Sequence, residues 1–447
     1  MARVPTYHGR FGPDEARRLL WRAGFGPRPG EAERLAKRGL NRAVESLVHP
    51  KSTRLKGPAA HDGDGHPLAP RDAWGHDHCW WLDRMVRTQA PLVERMTLVW
   101  HDWFATSKDA GPQALLLRQN ALLRRHALGS FERLAIDVTR DPAMLLWLNG
   151  TSNHKDDVNE NYARELQELF CLGAGRGYTE RDVREMARAL TGFRNEWSEG
   201  RGPHSFRYDR SLHDAGFKRL YGKRGRFDWR DGVRLAVRNR KHPSFLVNKL
   251  WGYFIPTPPP RGTARALERM YIGSGRNVRP LVRAILRHPH LYDPDRRMTK
   301  PPVVQAAGML RATGRGVDTD AWAWLCDTAG QMLFLPPNVA GWDATRWLDT
   351  ATFRARWRMA AEICNDDPLD HETMRGKVPA DPAKLVRRAA GFWADTPLSR
   401  PTRTALERYA RTSMASANES WERESYPVLI ENALRMLIAV SPDYLTS

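Results

Sequence analysis

The sequence predicts an all-α protein, folded as one large helical domain over residues 1–447 with long irregular loop insertions. Apolar residues recur at helical spacing along most of the chain, and clusters of Gly and Pro separate these stretches. Hydrophobic residues make up 41% of the 447, which is enough for a sizeable core. No run of about 18 apolar residues occurs, so the sequence predicts no transmembrane helix.

The N-terminal third is predicted to be helical almost throughout. Helical patterning begins at Asp14, which we expect to cap the first helix. A second amphipathic helix is predicted over 31–48, with an interruption at Gly39. Residues 50–70 are rich in Gly, Pro, His and Asp and are typical of a loop. Helices are then predicted from Trp80 onward.

The middle of the chain combines a helical hairpin with the longest irregular segment. A helix is predicted from Asn159, its N-cap, to Phe170, and Thr179 begins the next helix with a capping-box pattern. Residues 195–241 lack a helical period and are Gly-rich and aromatic, which favours a functional loop or a small β-ribbon. The C-terminal segment, 351–447, is again predicted to be helical.

The charge of the chain bears on its partners. The formal net charge is +20 and the pI about 10.2. This excess favours anionic partners such as nucleic acid, an anionic glycan, a phosphorylated ligand or a membrane surface. The alternative is an Arg-rich composition with no such role, because the Arg residues are spread along the whole chain. No compact basic block predicts a nucleic-acid-binding tail.

Cysteine usage and the N-terminal residues add two further expectations. The four cysteines fit no zinc module and are too few for a disulfide framework; they are Cys79, Cys171, Cys326 and Cys364. The sequence as written shows no apolar leader segment, so we expect a cytoplasmic protein.

One predicted helix carries the richest polar chemistry. Glu160, Asn161, Arg164, Glu165 and Glu168 fall within an arc of roughly 140° at about 100° per residue. Such i,i+4 pairs are common on solvated helix faces, which is the structural interpretation. In the functional interpretation, the carboxylates around Arg164 bind a metal, hold a cationic group, or supply an acid and a base with different pKa values.

Several segments resemble, in order, the bacterial family of unknown function DUF1800. The closest resemblance covers residues 159–193, which lie within the signature segment 141–193. Other segments with similar counterparts are 18–48, 92–107, 141–150, 213–218, 242–254, 334–343 and 441–445. The resemblance implies a single helical unit and supplies no reaction. The resemblance leaves it open whether the protein is exported, since family members often are. Members also often accompany relatives of alkaline phosphatases and sulfatases, which hints at anionic or sulfated substrates.

Two features depart from the family pattern. The usual second His of the Trp-His-x-His segment is Trp103 here, which weakens a two-His metal site, and the usual export leader is missing. His101 therefore stands alone among aromatic residues. Such a His is either a hydrogen-bonded core residue or a site residue.

The remaining site candidates lie in loops. His213, Asp214 and Lys218 lie in the irregular segment, where loops often carry function, and Trp342 lies beside a Pro-Pro turn. The candidate catalytic residues are Glu160, Arg164, Glu165, Glu168, His101 and His213. The candidate substrate-binding residues are Asn161, Asp214, Lys218 and Trp342. A divalent metal would be held by Glu165, Glu168 and His101.

The sequence leaves two hypotheses about function. The first is an enzyme, a hydrolase or transferase that acts on an anionic substrate with the help of a metal. The alternative is a non-catalytic binding or assembly protein whose basic surface holds a polyanion, nucleic acid included, or a partner protein. The common P-loop, dinucleotide-binding, GxSxG and HExxH motifs are all absent from the sequence.

Overall fold

The computed structural model describes residues 3–366 and 368–447, and 56% of it is helical. The first twelve α-helices of the described chain are α1 (Pro13–Arg22), α2 (Glu31–Ala36), α3 (Gly39–Val48), α4 (His76–Arg87), α5 (Pro91–Trp103), α6 (Gln113–Arg125), α7 (Phe131–Thr139), α8 (Pro142–Trp147), α9 (Asn161–Glu165), α10 (Glu180–Ala189), α11 (Trp229–Val237) and α12 (His242–Gly252). The others are α13 (Arg261–Gly273), α14 (Arg279–Leu286), α15 (Pro289–Tyr292), α16 (Pro302–Thr313), α17 (Ala321–Thr328), α18 (Thr350–Asp366), α19 (His371–Met374), α20 (Pro382–Phe392), α21 (Arg400–Ala415), α22 (Ser420–Ala439) and α23 (Pro442–Leu445).

Two small antiparallel sheets make the protein mostly helical rather than all-α. The first pairs β1 (Phe193–Ser198) with β2 (Gly202–Tyr208), and the second pairs β3 (Lys218–Leu220) with β4 (Lys223–Gly225). The predicted irregular segment 195–241 therefore contains most of two β-ribbons. It also ends in α11, whose Trp229, Val233 and Ala236 are buried. The prediction of an irregular segment was wrong for this last part, since apolar residues three and four positions apart pack against the core.

Helix boundaries follow local chemistry. The capping box at Thr179 is confirmed, since Thr179 and Asp182 exchange backbone-to-side-chain hydrogen bonds. The break at Gly39 is also confirmed, because α2 ends before it and α3 begins at this residue with a φ of 72°. The cap of α1 is instead Gly12, and Asp14 lies in the first turn after Pro13.

The buried side chains form two hydrophobic clusters. The first is built from α1 to α3 and from helices between residues 92 and 292. The second is built mainly from α4 and residues 303–444, with further residues from α5, α6 and α8. Helix α1 serves both, because Leu19 and Leu20 belong to the first cluster and Trp21 to the second. The expectation of a single domain over 1–447 stays a prediction.

The C-terminal segment is helical as predicted, from α18 to α23. No helix in the described part of the chain combines the length and the apolar composition needed to span a bilayer. The prediction of no transmembrane helix is confirmed to that extent.

Gly308 in α16 allows Trp21 of α1 to pack closely against this helix. A Cβ at this position would lie 2.1 Å from Cη2 of Trp21 and 3.0 Å from the carbonyl oxygen of Phe25. We expect Gly308→Ala to lower the free energy of unfolding by about 1–3 kcal/mol, because the Trp21 ring has to move. Chemical denaturation measures the change.

The matched control is Gly262→Ala in α13, where a Cβ would meet nothing within 4 Å. There we expect no loss and a gain of up to about 1 kcal/mol, since Ala has the higher helix propensity. Equal effects at the two positions would contradict the role given to Gly308.

Candidate functional site

The signature helix, residues 161–171, changes from α-helical to π-helical hydrogen bonding halfway along. Helix α9 continues directly into a π-helical segment over Leu166–Cys171, in which the N–H of Leu172 donates to the carbonyl of Gln167 at 2.8 Å. Single π-helical turns inside α-helices frequently occur at functional sites. The segment therefore marks this helix independently of its polar face.

Side chains from two other helices satisfy the carbonyl groups at the end of the π-helical segment. Lys249 donates to the carbonyl of Leu169 at 3.1 Å, and the Trp103 indole donates to that of Phe170 at 3.0 Å. The Nδ1–H of His242 donates to the carbonyl of Cys171 at 2.8 Å. Backbone carbonyls in a core need such donors, so α5 and α12 are tied to this segment.

The polar face of the signature helix is an ion-pair network at the surface. Arg164 contacts Glu160 at 3.3 Å and Glu168 at 3.4 Å, as the spacing predicted. Glu180 of α10, which the sequence analysis missed, makes two contacts with Arg164, at 2.8 and 3.0 Å. The Arg164 side chain is 35% exposed and that of Glu180 68%. The network therefore engages Arg164 fully, and exposed pairs of this kind add little stability.

Glu165 differs from the other carboxylates of this helix. Its side chain is half-buried and has no hydrogen bond or ion pair to any residue that the structure describes. Burial and then the neighbouring charge of Glu168 raise its pKa. Glu165 is thus the predicted site residue whose carboxyl group remains available for a ligand or a proton.

His101 has a structural contact that the sequence did not predict. Its Nε2 accepts a hydrogen bond from the N–H of Phe334 at 3.1 Å, and Nδ1 of His78 accepts one from the N–H of Leu333 at 3.0 Å. Phe334 has a left-handed backbone with a φ of 64°. Burial lowers the pKa of both His101 and His78 to about 3, so both rings are neutral. His101 holds a strained turn in place.

The predicted metal set is not assembled. In residues 3–366 and 368–447, no group of three or more His, Cys, Asp or Glu side chains is arranged to hold a metal ion. Glu165, Glu168 and His101 therefore do not form a metal site together. The reason is that the Nε2 lone pair of His101 is directed at the Phe334 amide.

An ionisable cluster beside the π-helical segment was missed at the sequence level. Asp102 accepts hydrogen bonds from the Tyr253 hydroxyl at 2.6 Å and from the N–H of Trp342 at 2.9 Å. Lys249 lies nearby with its ammonium 4.4 Å from the centre of the Trp103 ring. Asp102, Lys249 and Tyr253, here called the Asp102 cluster, are each only partly buried.

Burial shifts the pKa values of both charged groups of the Asp102 cluster. Burial raises the pKa of Asp102, although hydrogen bonds from Tyr253 and Trp342 oppose this. Burial also lowers the pKa of Lys249 to about 8, against the attraction of Asp102. Arg95 lies behind the cluster, fully enclosed, with Nε and Nη1 lacking any described partner. The cluster thus combines two groups whose pKa values move toward neutrality.

A glycine allows the Trp342 loop to approach Asp102. A Cβ at Gly341 would lie 2.3 Å from Oδ1 of Asp102, and Gly341 has a φ of 91°. The Trp342 ring lies 5.4 Å from the His101 ring, so the structure brings these two predicted residues together. Their shared neighbour is Asp102, which connects them through the main chain of Trp342.

The other loop candidates form a separate, internally bonded unit. The Nδ1–H of His213 donates to the carbonyl of Thr191 at 3.0 Å, and burial lowers the His213 pKa. Asp214 accepts from Arg188 at 2.6 Å. The buried Lys218 ammonium donates to the carbonyls of Asp214 and Gly216. These contacts anchor the loop to α10, and the Lys218 side chain is fully buried.

Asn161 pairs with another Asn residue. Its side-chain amide donates to Oδ1 of Asn149 at 2.9 Å, and its main-chain N–H donates to Oδ1 of Asn159 at the same distance. The predicted N-cap Asn159 is nevertheless wrong by one residue, because the helix begins at Asn161 and its N-cap is Glu160. Asn149 has a left-handed backbone with a φ of 58°. Asn161 thus joins the signature helix to the turn that precedes it.

Comparison with known proteins places the chain in a family. The family described as "Protein of unknown function (DUF1800)" matches residues 18–446. The chain belongs to this family. No curated protein and no solved structure matches it.

In this DUF1800 protein, four of the segments that carry the family resemblance meet at the Asp102 cluster. They are 92–107 with Asp102, 159–193 with the π-helical segment, 242–254 with Lys249 and Tyr253, and 334–343 with Trp342. The sequence signal was available, because Lys249 and Tyr253 lie four positions apart in one of these segments. The apolar residues around Lys249 and Tyr253 made the segment resemble an ordinary core helix, so the two polar residues were not singled out.

Buried neutral histidines predict acid sensitivity. The pKa values of His78, His101 and His242 fall from 6.5 to about 3, 3 and 4 on burial. Between these values and 6.5 the unfolded chain binds more protons, so stability falls as the pH drops below 6.5. Each histidine contributes up to about 1.4 kcal/mol per pH unit.

We expect His101→Gln to reduce the slope of the free energy of unfolding against pH between 6 and 4, as measured by chemical denaturation. Gln retains an acceptor for the Phe334 amide but does not titrate. The exposed His8 provides the control, and His8→Gln is expected to leave the slope unchanged. A His101→Gln slope equal to that of the parent would refute the assignment.

The two neighbouring carboxylates are expected to respond oppositely to neutralisation. At pH 7, Glu165→Gln should maintain or raise the free energy of unfolding, because its half-buried carboxylate has no partner among the described residues. Glu168→Gln should lower it by less than about 1 kcal/mol, because it removes a partly exposed pair with Arg164. Thermal denaturation of the two variants gives the order, and the reverse order would rule out this account.

Proposed function

We propose that this DUF1800 protein is an acid–base enzyme, a hydrolase or transferase, whose proton-transfer site is the Asp102 cluster. The observation that carries the proposal is the meeting of four family-resembling segments at one ionisable, partly exposed group of side chains. Ionisable groups with shifted pKa values that reach the surface are typical of functional sites.

Lys249 is assigned the proton transfer. A pKa of about 8 leaves a substantial fraction of neutral amine near neutral pH, which an ordinary lysine does not have. General acid–base groups are most efficient when their pKa lies near the working pH. The amine would accept a proton from the substrate or from an attacking water molecule.

Asp102 and Tyr253 are assigned positioning. The 2.6 Å hydrogen bond from Tyr253 and the amide of Trp342 fix both oxygens of the Asp102 carboxyl group. Its charge keeps the Lys249 pKa from falling further. The Trp342 loop and Tyr253 therefore control the pKa of Lys249 through Asp102.

The substrate class follows from the charge of the chain. A net charge of +20 raises the local concentration of anions around the protein and favours an anionic substrate. The proposal assigns the proton transfer to side chains.

We expect Lys249→Gln to reduce turnover by about 10²–10⁴, which is the usual contribution of a general acid–base group. The assay is a panel of chromogenic phosphate, sulfate and carboxylic esters, with Lys51→Gln at an exposed position as the control. The pH–rate profile should show a limb near pH 8 that Lys249→Gln removes. Turnover by Lys249→Gln at the parent rate would contradict the proposal.

The labelling chemistry of Lys249 gives a test that needs no substrate. Pulse acetylation followed by mass spectrometry measures the pH dependence of each lysine. The Lys249 rate should reach half its maximum near pH 8, against about 10.4 for an unperturbed lysine. A half-maximum near 10 would remove the basis of the assignment.

A second candidate is non-catalytic binding of a polyanion or an acidic partner protein. The observation that favours it is the exposed face of α21, which carries arginines without a described carboxylate partner: Arg400, Arg403, Arg408 and Arg411. Such binding should weaken steeply between about 50 and 200 mM salt. Binding to single-stranded DNA or heparin that does not respond to salt would exclude it.

A further inference from the structure

The β3–β4 ribbon has a buried inner side and an exposed outer side. Lys218 and Leu220 of β3 point inward and are buried. The guanidinium carbons of Arg224 and Arg226 lie 4.7 and 5.2 Å from the centre of the Phe217 ring, so these three side chains share the outer side. Four exposed residues, here called the ribbon patch, occupy that side: Phe217, Arg219, Arg224 and Arg226.

The turn of the ribbon attaches it to the signature hairpin. Tyr221 and Gly222 have φ values of 49° and 81°, and a two-residue turn with both φ values positive matches the twist of a tight hairpin. The N–H of Tyr221 donates to Asp182 at 2.7 Å, and its hydroxyl donates to Gln167 of the π-helical segment at 3.0 Å. The ribbon patch therefore stands on a support that is fixed to the core.

The positive charge of the ribbon patch is not neutralised within the described chain. None of its three arginine side chains has a carboxylate partner in the part of the chain that the structure describes. Glu185 accepts only the main-chain N–H of Arg219, at 2.7 Å, and forms its ion pair with Arg188. Arg219 and Arg224 are directly opposite each other, and like charges in this position destabilise a ribbon. An anionic ligand would relieve this repulsion.

The exposed ring distinguishes the ribbon patch from a purely charged surface. Phe217 is 54% exposed and lies among cations rather than against the core. Proteins that bind single-stranded nucleic acid combine these two features, because bases stack on aromatic rings or guanidinium planes while Arg and Lys contact the phosphates. A sulfated glycan has no aromatic base, and a duplex keeps its bases stacked inside, so neither ligand uses the ring in this way.

We propose that the ribbon patch binds single-stranded nucleic acid, with one base stacked on Phe217 and the flanking phosphates held by the three arginines. Residues two apart on a strand are separated by about 7 Å, and paired strands by about 5 Å, so the contact covers one or two nucleotides. Arginine suits the phosphates because its planar donor group forms paired, charge-assisted hydrogen bonds with them. The binding is independent of catalysis at the Asp102 cluster and of the exposed face of α21.

The test is fluorescence anisotropy of the full chain with labelled oligouridine and oligothymidine of about 12 nucleotides in about 50 mM salt, a size and a salt concentration at which weak single-strand binding is measurable. We expect saturable binding of at least one of these probes, tighter than that of a DNA duplex of the same length. The preferred probe shows whether the ligand is RNA or DNA. Absence of saturable binding by both, or duplex binding that is equally tight or tighter, would overturn the proposal.

Removal of the ring tests the stacking contact. Phe217→Ala should weaken oligonucleotide binding at least about fivefold, because one stacked base is lost, and should leave its salt dependence unchanged. The matched control is Trp197→Ala on the β1–β2 ribbon, which removes another exposed aromatic ring and should leave binding unchanged. Parent affinity in Phe217→Ala, or equal weakening by the two variants, would overturn the proposal.

Removal of charge tests the phosphate contacts. Arg224→Gln combined with Arg226→Gln should lower the slope of log affinity against log salt by about 1.4, at about 0.7 for each lost phosphate contact on a single strand. The control is Arg408→Gln combined with Arg411→Gln on α21, which removes the same charge elsewhere. An equal change in the control pair would assign the binding to general charge or to α21 and overturn the proposal. Loss of oligonucleotide binding with intact ester turnover separates this site from the Asp102 cluster.

Discussion

The carbonyl groups at the end of the π-helical segment impose the constraint on which the candidate active site depends. A helix that ends inside a core exposes acceptors that water cannot reach, and each one needs a donor. Trp103, His242 and Lys249 supply these donors from α5 and α12. The signature helix, the Trp-His segment and α12 are thereby fixed relative to one another within hydrogen-bond distances.

The same contacts create the chemistry of the Asp102 cluster. Asp102 is adjacent to Trp103, and Tyr253 lies four residues beyond Lys249. Anchoring Trp103 and Lys249 therefore brings the Tyr253 hydroxyl to 2.6 Å from Oδ2 of Asp102. The ammonium that caps a buried carbonyl is largely desolvated, which lowers its pKa. The hydrogen bond that satisfies the Leu169 carbonyl and the lowered pKa of Lys249 thus have the same physical cause, which is the burial of the Lys249 ammonium.

The histidines show how a residue type can be misinterpreted when its surroundings are unknown. His101 lies between two aromatic residues in the sequence, an arrangement that allows a metal ligand or a core residue. Its Nε2 accepts the amide of Phe334, and His78 does the same for Leu333. Two neutral rings hold a left-handed turn, and the residue beside His101, Asp102, faces the surface cluster instead.

The excess positive charge is divided unevenly over the molecule. Many arginines are paired with acidic residues, as Arg164 is with Glu180 and Arg238 with Glu132. The arginines of the β3–β4 ribbon and of the exposed face of α21 have no such described partners. Net charge alone gave an expectation about anions, but only the pairing pattern shows where charge remains available to a ligand.

The sequence by itself determined the local features. Helical periodicity, glycine breaks, the Thr179 capping box and the pairing of Glu160 and Glu168 with Arg164 all depend on residues a few positions apart, so the chain specifies them directly. Resemblance to the DUF1800 family, carried by its motifs, could also be recognised from sequence. Short β-ribbons and α11 within 195–241 were obscured by a polar, Gly-rich composition.

Only the tertiary structure decided the site. Asp102 meets Tyr253 across 151 residues and Trp342 across 240, and no local pattern encodes such pairs. Burial, which raises the pKa of Asp102 and lowers that of Lys249, is likewise a property of the packed chain. The sequence drew attention to the signature helix, and packing determined which ionisable residues lie beside it.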